Sequence, residues 1–168
     1  MFQFLQVLTL VLVATTLTFA LAHVAEWPGK LRLDKDAYLT VQTIYYPGFT
    51  IGGISEPVSM LALLVLTIST PRESPAFGWM LAALASMTAM HLIFWLVTQP
   101  VNKVWLRDQE MAGAGTIFFN RSQNMPHAAK AADWTALRDR WEYSHIARAV
   151  FAMLGLICLA IAITSRAI

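Results

Sequence analysis

The segment WEYSHIARAVFAMLGLICLAIAIT (residues 141–164) closes with an apolar run, 146–164, flanked upstream by a glutamate and a histidine. About 20 such residues, rising about 1.5 Å each, span a bilayer core of about 30 Å. Three further runs of this kind lie at 2–22, 49–69 and 79–97. Of the 168 residues 57% are hydrophobic and 13% charged, against about 45–50% and about 25% in soluble domains. Because the excess is concentrated in the four blocks, a soluble enzyme, a nucleic-acid module and a disordered scaffold are excluded. A net charge of +2 calls for no polyanionic partner. The single cysteine, Cys158, excludes a disulfide framework, CxxC redox chemistry and a thiolate metal cluster. The expectation is an all-α membrane protein: one domain over 1–168, an antiparallel four-transmembrane-helix bundle with polar loops at 23–48 and 98–145.

The first block lacks the basic n-region of a secretory signal and is longer than a signal's apolar core, so it reads as a membrane helix. Lys30, Arg32, Lys35, Lys103, Arg107, Arg121, Lys130, Arg138, Arg140 and Arg148 fall on the side of the two long loops, and only Arg72 and Arg166 on the other. That bias places both loops in the cytoplasm and both termini outside it. Pro28 disfavours helical geometry at Trp27, so span one is expected to stop near Glu26. Asp34 or Asp36 is expected to cap a short helix through Tyr45 and Tyr46, whose tyrosines, Tyr38 included, suit the headgroup layer together with Trp27. Residues 112–132 read as irregular, with His127 solvated. From Asp133 no Gly or Pro interrupts the chain before Val150, which predicts one helix continuous into span four.

Ionisable groups inside or at the ends of spans cost about 2.5–3.5 kcal/mol each at mid-helix, so each requires a reason. Here they are His23, Glu26, Glu56, His91, Glu142, His145 and Arg148. His23-x-x-Glu26 and Glu142-x-x-His145 each put an imidazole and a carboxylate on one helix face. Di-iron bundles use paired ExxH motifs with two further glutamates, and imidazole with carboxylate suits transition metals. His23, Glu26, Glu142 and His145 are therefore candidate metal ligands, for iron or copper, or for a haem. Without a metal, Glu142, His145, Glu56 and His91 are candidate acid/base groups, with Asn102, Arg148 and Trp141 orienting a substrate. The bland alternatives are an i,i+4 pair of Glu142 with Arg138, and Arg148 snorkelling to lipid phosphates or neutralising Glu56. On helix geometry Glu56 and His91 lie about 10 Å deeper than His23 and His145.

The run His23-x-x-Glu26-x-Pro28-Gly29-Lys30, with Tyr38, Gln42-x-x-Tyr45, Pro100-Val101-Asn102 and Trp134-x-x-Leu137-Arg138-x-Arg140-Trp141-Glu142-x-Ser144-His145-x-x-Arg148-Ala149, resembles a bacterial four-helix integral membrane family of unknown function grouped with anthrone-oxygenase-like proteins. The block at 141–145 carries most of the likeness. The resemblance implies a small bundle in a bacterial cytoplasmic (inner) membrane and oxidation of a lipophilic, aromatic or quinone-like small molecule, as anthrone oxygenases convert anthrones to anthraquinones. Segment 112–132 is longer than the family pattern, which implies a loop-specific partner. The rival expectation is a non-catalytic accessory subunit whose outer faces pack on a membrane-protein partner.

Overall fold

With no water to satisfy peptide groups inside a bilayer, each crossing segment must bond its own backbone, and here each does so as a helix. The computed structural model describes residues 2–45, 47–105 and 133–165. Helix α1 is Phe2–Lys30, α2 Lys35–Gln42, α3 Gly48–Gly53, α4 Ser55–Ile68, α5 Pro75–Ile93, α6 Gln99–Trp105 and α7 Trp134–Thr164. A 3₁₀ turn, Thr43–Tyr45, follows α2, and a π-helical turn, Phe94–Thr98, joins α5 to α6. Four rods are long and apolar enough to cross a membrane: Phe2–Lys30, Gly48–Ile68, Pro75–Trp105 and Trp134–Thr164. The expected all-α, four-helix membrane bundle is therefore the fold. Tyr46, His127 and the 112–132 segment lie outside the described residues.

The rods form a ring in which α1 packs on α4 and α7, and α5 packs on α4 and α7. Their shared interior holds Val13, Leu17, Leu63, Leu66, Met80, Met87 and Leu159. Small residues let backbones approach where apolar burial gives no driving force in lipid. Ala83 and Ala152 are fully buried between α5 and α7, and a Cβ at Gly155 would lie 3.1 Å from the Met87 thioether. Thr16 and Ser55 hydroxyls bond across α1 and α4 at 3.0 Å, as do Thr98 and Ser144 across the π turn and α7 at 2.8 Å.

Helix α7 runs unbroken as its sequence predicts, its N-terminus capped by Asp133, whose carboxylate accepts from the Thr135 amide at 2.9 Å. Asp34, rather than Asp36, caps α2, accepting from the Ala37 amide at 2.9 Å. Helix α1 departs from expectation, continuing through Pro28 to Lys30. A proline this close to a helix end removes only one intrahelical bond. The extra turn carries Lys30 into the interior, where its ammonium meets two carboxylates. The α2 segment also departs: Tyr38 and Tyr45 are buried rather than placed among headgroups.

Gly52 on α3 lies directly against the Phe19 ring, and a Cβ there would collide with it. Gly52→Ala is therefore expected to destabilise the protein by about 1–3 kcal/mol through overpacking. Thermal unfolding in detergent checks this, and an unchanged midpoint would show that Phe19 swings aside freely.

Candidate functional site

The π turn, the break between α3 and α4, and the last turn of α1 gather the interior's ionisable groups at the α2 end of the bundle in two layers. In the outer layer the Lys30 side chain is buried, its Nζ 3.2 Å from Glu142 Oε1 and 3.6 Å from Glu26 Oε2. The same ammonium lies 4.7 Å from the Trp141 ring centroid and 5.1 Å from that of Tyr45, close enough for cation–π attraction. Tyr38 donates its hydroxyl to Glu142 Oε1 at 2.7 Å, and Tyr45 donates to Glu26. Burial first, and then the bond to a carboxylate, push both phenols well above their ordinary range, so each stays protonated and acts as a donor.

In the inner layer Glu56 is held at both oxygens: His91 Nδ1 at 2.9 Å from Oε1 and Arg148 donating to Oε2 at 2.6 Å. The Trp95 indole N–H lies 2.9 Å from His91 Nε2. An indole can only donate, so Nε2 accepts and Nδ1 carries the proton given to Glu56. The set is thus a neutral histidine between an indole and an ion pair. Of the two bland alternatives for Arg148, neutralising Glu56 is the one observed. Arg138 bonds Asp139 at 2.9 Å and forms no pair with Glu142, which is committed to Tyr38 and Lys30.

Between the layers the imidazoles of His23 and His145 stack with centroids 4.0 Å apart and planes 25° from parallel. Both are buried, and both Nδ1 atoms are sealed from solvent without a hydrogen-bond partner. The Trp141 ring meets His145 edge-on at 4.0 Å and His23 at 5.1 Å. Its indole N–H donates to Asn102 Oδ1 at 2.8 Å, and Asn102 in turn donates to Gln99 at 3.3 Å. Asn102 therefore fixes Trp141, which in turn holds the histidines.

The two histidines, Glu56, His91, Arg148 and Trp141 line one cavity of about 320 Å³, walled further by Phe and Tyr rings. That volume suits a small drug-sized ligand. Both sets of residues between which a depth offset was expected, His23 with His145 and Glu56 with His91, line this cavity. Glu26 and Glu142 are not among its lining residues.

The donor set does not fit the expected transition metal. Glu26 and Glu142 face the Lys30 ammonium, Glu56 faces Arg148, and among the described residues no group of three or more His, Cys, Asp or Glu side chains is arranged to hold an ion. Stacked on each other, His23 and His145 are also not placed to flank the two faces of a haem. Sequence reasoning missed Lys30 as a site residue, although His23, Glu26 and Lys30 share one face at helical spacing. It also misplaced Tyr38, whose partner lies 104 residues away and leaves no local signal. No family profile, curated protein or solved structure matches the chain.

Proposed function

We propose that the protein is a membrane oxidoreductase of the oxygenase type, oxidising a planar, lipophilic, aromatic or quinone-like substrate with dioxygen in the cavity beside His23 and His145. The observation that carries this reading is the stacked pair of buried imidazoles lining a cavity walled by aromatic rings. The rings around them offer stacking surface to a flat hydrocarbon skeleton.

The chemistry supported is proton removal followed by oxidation. An imidazole accepts a proton from the acidic methylene or hydroxyl of an enolisable aromatic ketone. Two cations stacked at 4.0 Å would repel strongly in a buried site, so the pair carries no more than one added proton. The Arg148 guanidinium, oriented by Glu56, supplies positive potential for the resulting anion. Dioxygen takes the electrons: the methylene becomes a carbonyl, one oxygen atom is retained in the product and the other leaves as water. Glu142 and Glu26, locked to Lys30 and the tyrosines, serve to hold Trp141 and the α2 segment over the histidines.

The test is binding of 1,8-dihydroxyanthraquinone, a product-like probe, to purified protein in mild detergent, followed by quenching of tryptophan fluorescence. Saturable binding at one site per chain, weakened in His145→Ala, is expected. Partition indistinguishable from that into empty micelles would sink the reading.

The site lies at the end of the bundle assigned to the cytoplasm by the bias of ten lysines and arginines against two. In a bacterial inner membrane, a reporter fused after Ile168 is expected to be active outside the cytoplasm, and one inserted near Gly113 inside. The reverse pattern would invert the site.

A further inference from the structure

A cavity inside a membrane bundle must be filled either from the aqueous end or through its wall, and its lining differs between these two directions. Toward the α2 end it is roofed. Tyr45, Val101 and Trp141 are buried in one cluster, with Phe49, Trp105 and Leu137 packed against it. The roof is also pinned by hydrogen bonds, Trp141 to Asn102 and Tyr45 to Glu26. Below the roof the wall changes. Pro57 on α4 and Trp95 on the π turn line the cavity and are both exposed, Trp95 by 46%.

Among the described residues, no extensive packing joins α3 or α4 to the π turn. Gly53, which lines the cavity at the α3–α4 break, would meet no atom within 4 Å if it carried a Cβ. His91, whose side chain is 29% exposed, lies on the same side and is fastened to Trp95. Pro57 and Trp95 both belong to rods long and apolar enough to cross a membrane.

Resting on the reading that the cavity holds a planar lipophilic molecule, we propose that this molecule enters laterally from the bilayer, through the gap between Gly53–Pro57 and Trp95. The substrate class follows from the route. It is a molecule that partitions into the leaflet and presents its ring edge-first to a slot, with its polar oxygen trailing toward Arg148 or leading toward the histidines. A water-soluble, multiply charged aromatic has no such path. Trp95 serves as one jamb of the slot, held by its bond to His91, and the glycine opposite keeps the other jamb free of side chain.

The test uses Gly53→Cys in a Cys158→Ala background, so that the introduced thiol stands alone. The protein is placed in lipid nanodiscs, and the association and dissociation rates of 1,8-dihydroxyanthraquinone are read by stopped-flow fluorescence before and after modification with benzyl methanethiosulfonate. A blocked path slows entry and exit alike. Both rates are expected to fall by at least about tenfold, which corresponds to about 1.4 kcal/mol of barrier. The dissociation constant should stay nearly unchanged, and dithiothreitol should restore both rates. Leu137→Ala, which loosens the roof without lining the cavity, is expected to leave the rates as they are. Unaltered rates on modification, or faster association in Leu137→Ala, would overturn lateral entry. Absence of saturable quenching in the unmodified protein would overturn the cavity reading on which it rests.

Discussion

Lys30→Met is expected to destabilise the protein by about 3–5 kcal/mol, the usual cost of removing one partner from a buried ion pair. Nearly all of this comes from Glu142. Its side chain is 1% exposed and would be left with only the Tyr38 hydroxyl facing it, whereas the Glu26 side chain is 42% exposed and is screened by solvent. The cation–π contacts with Trp141 and Tyr45 are lost as well. Adding Glu142→Gln should recover most of the loss, because a neutral amide still accepts from Tyr38. Thermal unfolding of the three proteins in the same detergent checks the cycle. A single variant as stable as wild type would mean that Lys30 is not the cation that balances this layer.

The second large effect is on turnover. His145→Ala is expected to lower the rate of ketone formation by about 10²–10⁴-fold, the range of a positioned acid/base group. His23→Ala should cost a similar factor. The double variant should be little worse than either, since groups that act as a unit are far from additive. His91→Ala should act differently. It removes the donor to Glu56 Oε1 and the anchor of Trp95, so its main consequence is on probe binding and on Arg148's orientation. A loss confined to binding in all three variants would move the histidines from chemistry to packing.

Much of this architecture is legible in the sequence because membrane insertion leaves few options. The four apolar runs, the helix start at Asp133 and the absence of Gly or Pro up to Val150 each dictate a local outcome, and each is observed. Glu56 with Arg148 was also accessible, as the one deep carboxylate and the one deep guanidinium. What could not be read was the partnership of the outer layer. Pro28 argued locally for a stop, yet burying the Lys30 ammonium between two carboxylates outweighs one missing backbone bond. Tyr38 and Tyr45 satisfy the rule for headgroup aromatics, and only the fold-back of α2 onto α7 turns them into donors to Glu142 and Glu26. The metal expectation finds no support among the described residues at the same point. Spacing put imidazoles and carboxylates together correctly, but it could not reveal that a lysine stands among them.

The account turns on a histidine pair that removes a proton and lets dioxygen complete the oxidation. The most direct test is dioxygen uptake against ketone formed, with a hydroxyanthrone as substrate and the purified protein treated with chelator. The account predicts one dioxygen consumed per ketone, at a rate that chelation leaves unchanged and that His145→Ala abolishes to near the uncatalysed level. A rate lost on chelation and regained with iron or copper, or a rate indifferent to both histidines, would contradict it.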